Sequence, residues 1–220
     1  MHVAVIEDQT LVRDYLAGLL RRHFSVTTLT AVGSMAELKS QETELRRADL
    51  VLLDIELGDG STLDWAVQRA QSGGRGAIVA LSSIKAAFPF KRLQAAGISL
   101  VHKGDGEAEL VAVIRHAIAG RMVFSRGVME IIQAAGRDPL APTKLLSPKE
   151  IQVLALLGQR FSNAEIAEFT GSALATIADH RKRIMRKLDL HSAEELIDYA
   201  IRHGVVHDST AAAAHHQRRR

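Results

Sequence analysis

The sequence predicts an α/β doubly wound domain built on a five-stranded parallel sheet, followed by a separate all-α four-helix domain. Over residues 1–120, short apolar runs alternate with segments of helical apolar spacing, whereas from residue 147 onward only helical spacing remains. Both periodicities lapse around Pro139 and Pro142, which places a break between the two parts.

The apolar runs of the first part lie at 3–6, 25–32, 50–55, 77–81 and 100–101. They have strand length and little alternation, the pattern of strands covered on both faces. Between them Val12, Leu16 and Leu19 define one helix face, Leu63, Ala66, Val67 and Ala70 another, and Leu110, Val113, Ile114 and Ala117 the last. Strands and helices in alternation imply a parallel sheet with helices on both sides.

Residues 121–146 read as a linker carrying one short helix near the apolar patch at 128–134. The helical domain spans 147–207. Ser147/Glu150, Ser162/Glu165 and Ser192/Glu195 are Ser-x-x-Glu boxes, in which the hydroxyl accepts from a helix N–H and the Glu reaches back to the cap. Pro148 suits the first helical position. A further helix is expected over 173–188, and Gly204 reads as a stop. Residues 208–220, with four alanines and a terminal Arg218-Arg219-Arg220, have no core pattern and read as a disordered tail.

Composition narrows the function classes. Apolar residues make up 47% and charged residues 24% of the chain, as in an ordinary globular protein. With no cysteine, disulfides and thiolate metal sites are excluded. No apolar run approaches the ~20 residues of a membrane span. Acids at Glu7 and Asp8 interrupt the place where a leader peptide would stay apolar, so the expectation is a cytoplasmic protein with no membrane partner. The net charge is only +3, but five of the seven positions 181–187 are Lys or Arg. Such a local basic stripe bears on nucleic-acid binding more than the global charge does.

In a doubly wound sheet, ligands bind beyond the carboxyl ends of the strands. The first strand ends on Glu7-Asp8, the third on Asp54, the fourth on Ser82-Ser83, and the fifth near Lys103. Three carboxylates, a hydroxyl and an amine thus converge on one edge. Clustered carboxylates call for a counter-charge, and a hard cation such as Mg2+ fits an all-oxygen set. A carboxylate can also attack phosphorus to form an aspartyl phosphate, with the cation and a lysine stabilising the transferring group.

These residues and their order resemble the receiver domain of two-component response regulators, which is flavodoxin-like in fold. Val5-Ile6-Glu7-Asp8 is similar to its acidic pair, Leu52-Leu53-Asp54-Ile55-Glu56-Leu57 to its acceptor strand, Ala80-Leu81-Ser82 to its switch hydroxyl and Val101-His102-Lys103 to its lysine. The resemblance implies that Asp54 is the phospho-acceptor. It implies that Glu7, Asp8, Asp54 and the Glu56 backbone carbonyl hold Mg2+, and that Ser82 and Lys103 contact the phosphate. The chain departs from the family pattern at Gly58 and Gly104, where prolines are common, and at Leu100, where a switch Tyr or Phe usually stands. The loop after Gly97 is also one residue short. The same residues admit two other readings, a structural ion-pair cluster and a degenerate receiver that is never phosphorylated.

In the second part, two helices joined by a short turn at Thr170-Gly171 describe a helix-turn-helix, whose second helix enters the major groove. Leu146, Glu150, Val153-Leu154, Ser162-Asn163, Glu165-Ile166-Ala167, Thr176-Ile177, His180, Ile184 and Lys187-Leu188 resemble the LuxR-type (NarL/FixJ) DNA-binding domain. The resemblance implies a homodimer on double-stranded DNA, with contacts expected from Thr176, Asp179, Lys182, Arg183 and Arg186. Ala175 and Ala178 stand where the family often has lysine, and Asp179 brings a negative charge toward phosphates.

The combined expectation is a transcriptional response regulator, not an enzyme beyond its own Mg2+-dependent phosphoryl acceptance. A sensor histidine kinase would phosphorylate Asp54, and phosphorylation would control dimerisation and promoter binding. The alternatives are a receiver-gated protein-interaction module with weak or no specific DNA binding, and a Mg2+-dependent phosphatase with Asp54 as nucleophile.

Overall fold

The computed structural model describes residues 1–83, 87–137 and 141–206, so the expected tail at 208–220 lies outside the described residues. Among the described residues the chain divides into two compact units, residues 1–83 with 90–130, and residues 87–89 with 131–137 and 141–206.

The chain up to residue 118 runs β1 (His2–Ile6), α1 (Thr10–His23), β2 (Thr28–Val32), α2 (Met35–Ser40), α3 (Glu42–Arg47), β3 (Leu50–Asp54), β4 (Glu56–Leu57), β5 (Gly60–Ser61), α4 (Leu63–Gln71), β6 (Ala77–Ser82), α5 (Ala87–Ala95), β7 (Ser99–His102) and α6 (Glu107–Ile118). The main sheet is parallel with order β2-β1-β3-β6-β7, the flavodoxin-like arrangement. Ile6 pairs with Leu53, and Asp54 with Leu81, so the carboxyl ends of the central strands lie level. Val3, Val5, Leu50, Leu52, Val79, Leu81 and Val101 form one core with Leu16, Leu19 and Leu20 of α1 and Leu110, Val113 and Ile114 of α6. The alternate residues Ala4, Ile6, Val51, Leu53 and Ala80 are also buried. Successive strand residues point to opposite faces, so both faces are covered and the runs stay apolar. Gly76 enters β6 with φ +89, and a Cβ there would strike the Ala48 carbonyl.

Two local features depart from the sequence expectation. The acceptor loop folds into the small antiparallel β4–β5 hairpin. The expected linker begins as sheet edge: the Leu100 N–H donates to the Val123 carbonyl (3.1 Å), and the Ser125 N–H to the Leu100 carbonyl (2.9 Å). Ser99 Oγ accepts from the Val123 N–H, and Ser125 Oγ from the His102 N–H, each at 3.1 Å. These four bonds satisfy an edge strand that would otherwise offer unpaired groups to another chain. Helix α7 (Arg126–Arg137) follows at once, with Val128 fully buried, and α8 (Pro142–Leu145) is a second helix where one was expected.

The second unit continues with α9 (Pro148–Gly158), α10 (Asn163–Thr170), α11 (Leu174–Leu188) and α12 (Ala193–Arg202). Val153, Leu154, Leu157, Ile166, Ile177, Ile184, Leu188, Leu196 and Tyr199 form its core. Both capping boxes at Ser147/Glu150 and Ser162/Glu165 are complete. The third is half made. Ser192 accepts from the Glu195 N–H, but the Glu195 carboxylate reaches one residue further back, to the His191 N–H at 2.7 Å. Gly171 ends α10 in the left-handed region (φ +62), which opens the tight turn into α11.

Candidate functional site

The sheet order places β1 and β3 side by side, so the residues after Ile6 and at the end of β3 share one edge. Glu7 is fully buried and Asp54 nearly so. Oxygens of Glu7, Asp8 and Asp54 lie within 4.8 Å of one another. Lys103 leaves the end of β7 and reaches both buried acids, with Nζ 2.7 Å from Asp54 Oδ2 and 2.8 Å from Glu7 Oε2. Its own N–H donates to the carbonyl of Ser82, the last residue of β6. Ser82 is fully buried and lies one residue past Leu81, the register partner of Asp54. The five residues singled out from strand ends therefore meet at one place.

The electrostatics follow from burial. Desolvation pushes the Asp54 and Glu7 carboxyls above the usual range, and the Lys103 hydrogen bonds pull back only part of that rise. Burial also works against the Lys103 charge, but the two carboxylates outweigh it and hold the ammonium above its ordinary value. Burial and the Asp54 charge push the Glu56 carboxyl up to about 7. Three acids and one ammonium leave a negative excess, and an all-oxygen donor set of this size fits a small divalent cation.

The surrounding loop is fixed by main-chain bonds. The Glu56 N–H donates to Asp54 Oδ1 (3.1 Å), and the Gly58 N–H to Asp8 Oδ2 (2.8 Å). A Cβ at residue 58 would come to 3.0 Å from that Asp8 oxygen, so the absent proline leaves both room and a donor. Asp59 ties the loop to α2 by accepting from the Met35 N–H. Two contributors escaped sequence reasoning. Arg13 donates to the Glu7 carbonyl at 2.6 Å and holds the acidic loop, while the buried Thr62 hydroxyl donates to the Asp54 carbonyl. Neither lies at a strand end or matches a motif, so no local signal marks them.

On α11 the core side is Ile177, Ile184 and Leu188. Thr176, Asp179, Lys182, Arg183 and Arg186 are all exposed, together with Ala175 and Ala178. Leu174, which sequence reasoning passed over, is 55% exposed. His180 is half-buried, and its Nδ1 has no hydrogen-bond partner. Lys187 turns instead to the nearly buried Glu150 of α9, at 2.8 Å.

Comparison with known proteins agrees with both halves. Residues 144–200 match the family described as bacterial regulatory proteins, luxR family. The chain is 29% identical over 215 residues to the response regulator GacA of Pseudomonas viridiflava, spanning 94% of this chain and 98% of that protein. It is 26% identical over 219 residues to the response regulator UvrY of Escherichia coli K12, spanning 97% and 99%. In fold it is similar to RcsB of Salmonella enterica serovar Typhimurium, solved bound to the promoter rprA with the phosphomimetic BeF3-. The TM-score is 0.60 at 19% identity, with 92% of this chain and 98% of that one covered.

Proposed function

We propose that this chain, a response regulator with a LuxR-type helix-turn-helix domain, accepts a phosphoryl group on Asp54 from a sensor histidine kinase and thereby controls its dimerisation and promoter binding. The observation that carries the reading is the Lys103 ammonium, 2.7 Å from Asp54 and 2.8 Å from Glu7, on the ligand-binding edge of the sheet.

In the proposed step the Asp54 carboxylate attacks phosphorus. A P–O bond forms as the donor's P–N bond breaks, and its electron pair leaves with the imidazole. Glu7, Asp8 and Asp54, with the Glu56 backbone carbonyl, would hold Mg2+, whose charge neutralises the phosphoryl oxygens. Lys103 exchanges one carboxylate oxygen for a phosphoryl oxygen, and Ser82, at the adjacent strand end, supplies a hydroxyl to another. The β7 edge then carries the change to α7, through the bonds that Ser99, Leu100 and His102 make with residues 123–125. We place the protein in the cytoplasm, with promoter DNA as its target. Thr176, Asp179, Lys182, Arg183 and Arg186 form the proposed DNA face.

Intact-mass measurement after incubation with Mg2+ and a small phosphodonor tests the acceptor. One phosphoryl group is expected, lost in Asp54→Asn; labelling that persists in Asp54→Asn would overturn the assignment. Selection of genomic fragments with and without beryllofluoride tests the output, beside a Lys182→Ala/Arg186→Ala control. A two-fold site strengthened by the mimic and lost in the control supports the reading. The exposed Leu174 and Asp179 favour a second reading, a protein partner for α11, and failure to enrich any DNA in either state would turn the search to it.

A further inference from the structure

The outward face of α11 has two chemically different halves. Residues advance by about 100° around a helix, so with Ile177, Ile184 and Leu188 buried, Ala175, Asp179, Lys182 and Arg186 lie within about 40° of the opposite direction. Ala178 flanks this line on one side, with Leu174 one turn before it at the start of the helix and about 120° from the line, and Thr176 and Arg183 flank it on the other. The half toward the N-terminus is therefore methyl-rich with a single carboxylate. The half toward the C-terminus carries the cations.

We propose that Leu174, Ala175 and Ala178 read thymine methyl groups, and Asp179 a cytosine, in the major groove of the duplex that Lys182, Arg183 and Arg186 grip by its phosphates. The inference rests on the DNA-binding reading above and names the base sequence chemistry that reading leaves open.

A recognition helix meets base edges mainly with its N-terminal residues. Guanine is read there by paired N–H donors from arginine or lysine to O6 and N7. Residues 174–179, Leu-Ala-Thr-Ile-Ala-Asp, offer no such side-chain donor pair. They do offer apolar groups, which suit the thymine C5-methyl, and a carboxylate, which accepts from cytosine N4 and is repelled by guanine O6 and N7. An exposed leucine alone would mean little. Leu174 is 55% exposed beside two exposed alanines and ahead of three exposed cations, and the charge complementarity of those cations points the face at a polyanion. Phosphate contacts by Lys182, Arg183 and Arg186 fix position without reading sequence, so discrimination falls to residues 174–179.

The test uses the full chain with beryllofluoride and a duplex enriched from a random pool. Each thymine is replaced singly by deoxyuridine, which removes only the methyl, and each guanine by 7-deazaguanine, which removes only N7. Deoxyuridine at one or two thymines per half-site is expected to weaken binding about three- to fivefold each. Leu174→Ala should abolish that sensitivity at one position while leaving the salt dependence unchanged. Asp179→Ala should lose about tenfold of the preference for one C·G pair. Both side chains are exposed, so circular dichroism is expected to show the variants folded. Weakening by 7-deazaguanine with indifference to deoxyuridine overturns the proposal. Binding to all duplexes alike, with a steep salt dependence, overturns it while leaving the DNA reading intact. No binding to any duplex at low salt overturns both.

Discussion

The His102 N–H donates to Ser125 Oγ across 3.1 Å, one residue before the lysine that holds Asp54. Ser125 is fully buried, and its own N–H bonds the Leu100 carbonyl. The edge of the sheet is thereby tied to the start of α7 at the strand that carries Lys103. Leu100, in place of a switch aromatic ring, is itself fully buried in this ladder.

Ser125→Ala removes the acceptor and leaves the part-buried His102 N–H without it. A loss of about 1–2 kcal/mol is expected for the first unit. Trp65 is the single tryptophan and lies in that unit, so its fluorescence in a urea titration reads the change. An unchanged midpoint would show that the edge bond contributes nothing.

Asp54 and Glu7 carry carboxyls raised chiefly by burial. A carboxyl whose folded value is raised favours the folded state below its ordinary pKa, and that contribution is lost as pH rises through the raised value. Asp54→Asn is therefore expected to stabilise the first unit by about 1 kcal/mol at neutral pH, with the gain fading toward about pH 4. Mg2+ should raise the wild-type midpoint by mass action and raise it less in Asp54→Asn. Trp65 fluorescence at several pH values, with and without Mg2+, checks both statements.

Glu150 has the opposite sign. Burial alone would raise its carboxyl, but Lys187 and the Ser147 N–H outweigh it and bring it down to about 2. Its contribution is present above the ordinary carboxylate value and is lost as pH falls through about 2. Glu150→Ala removes the capping box and the ion pair together, at an expected cost of about 1–3 kcal/mol. Glu150→Gln, which can still reach back to the cap, should fall between. The helical signal should shift while Trp65 fluorescence does not.

Gly158 ends α9 where it crosses α12. A Cβ there would stand 2.8 Å from Ala200 Cβ and 2.8 Å from a Val206 methyl. Gly158→Ala is expected to destabilise the second unit by about 1–3 kcal/mol through overpacking, although alanine is the better helix former. Thermal unfolding followed by circular dichroism measures it; a stabilised variant would mean that the crossing relaxes.

Much of this was legible along the chain. The strand runs, the outward face of α11 and the Ser147 and Ser162 caps all depend on neighbours within one turn or one strand, and they stand where the spacing put them. The convergence of Glu7, Asp8, Asp54, Ser82 and Lys103 was legible too, because a parallel sheet of known winding brings every strand's carboxyl end to one edge. Tertiary structure alone decided the rest. Arg13 on the Glu7 carbonyl, Thr62 on the Asp54 carbonyl and Ser125 on the His102 N–H are bonds to main-chain groups, which every residue carries and no sequence pattern marks. The reach of Glu195 past its cap to His191, and the closeness of Gly158 to Ala200, depend likewise on backbone paths and on how near two helices pack. Periodicity and motif thus determined which residues face inward and which strand ends meet. Distances between segments remote in sequence determined what holds them there, because those distances exist only once the chain has folded.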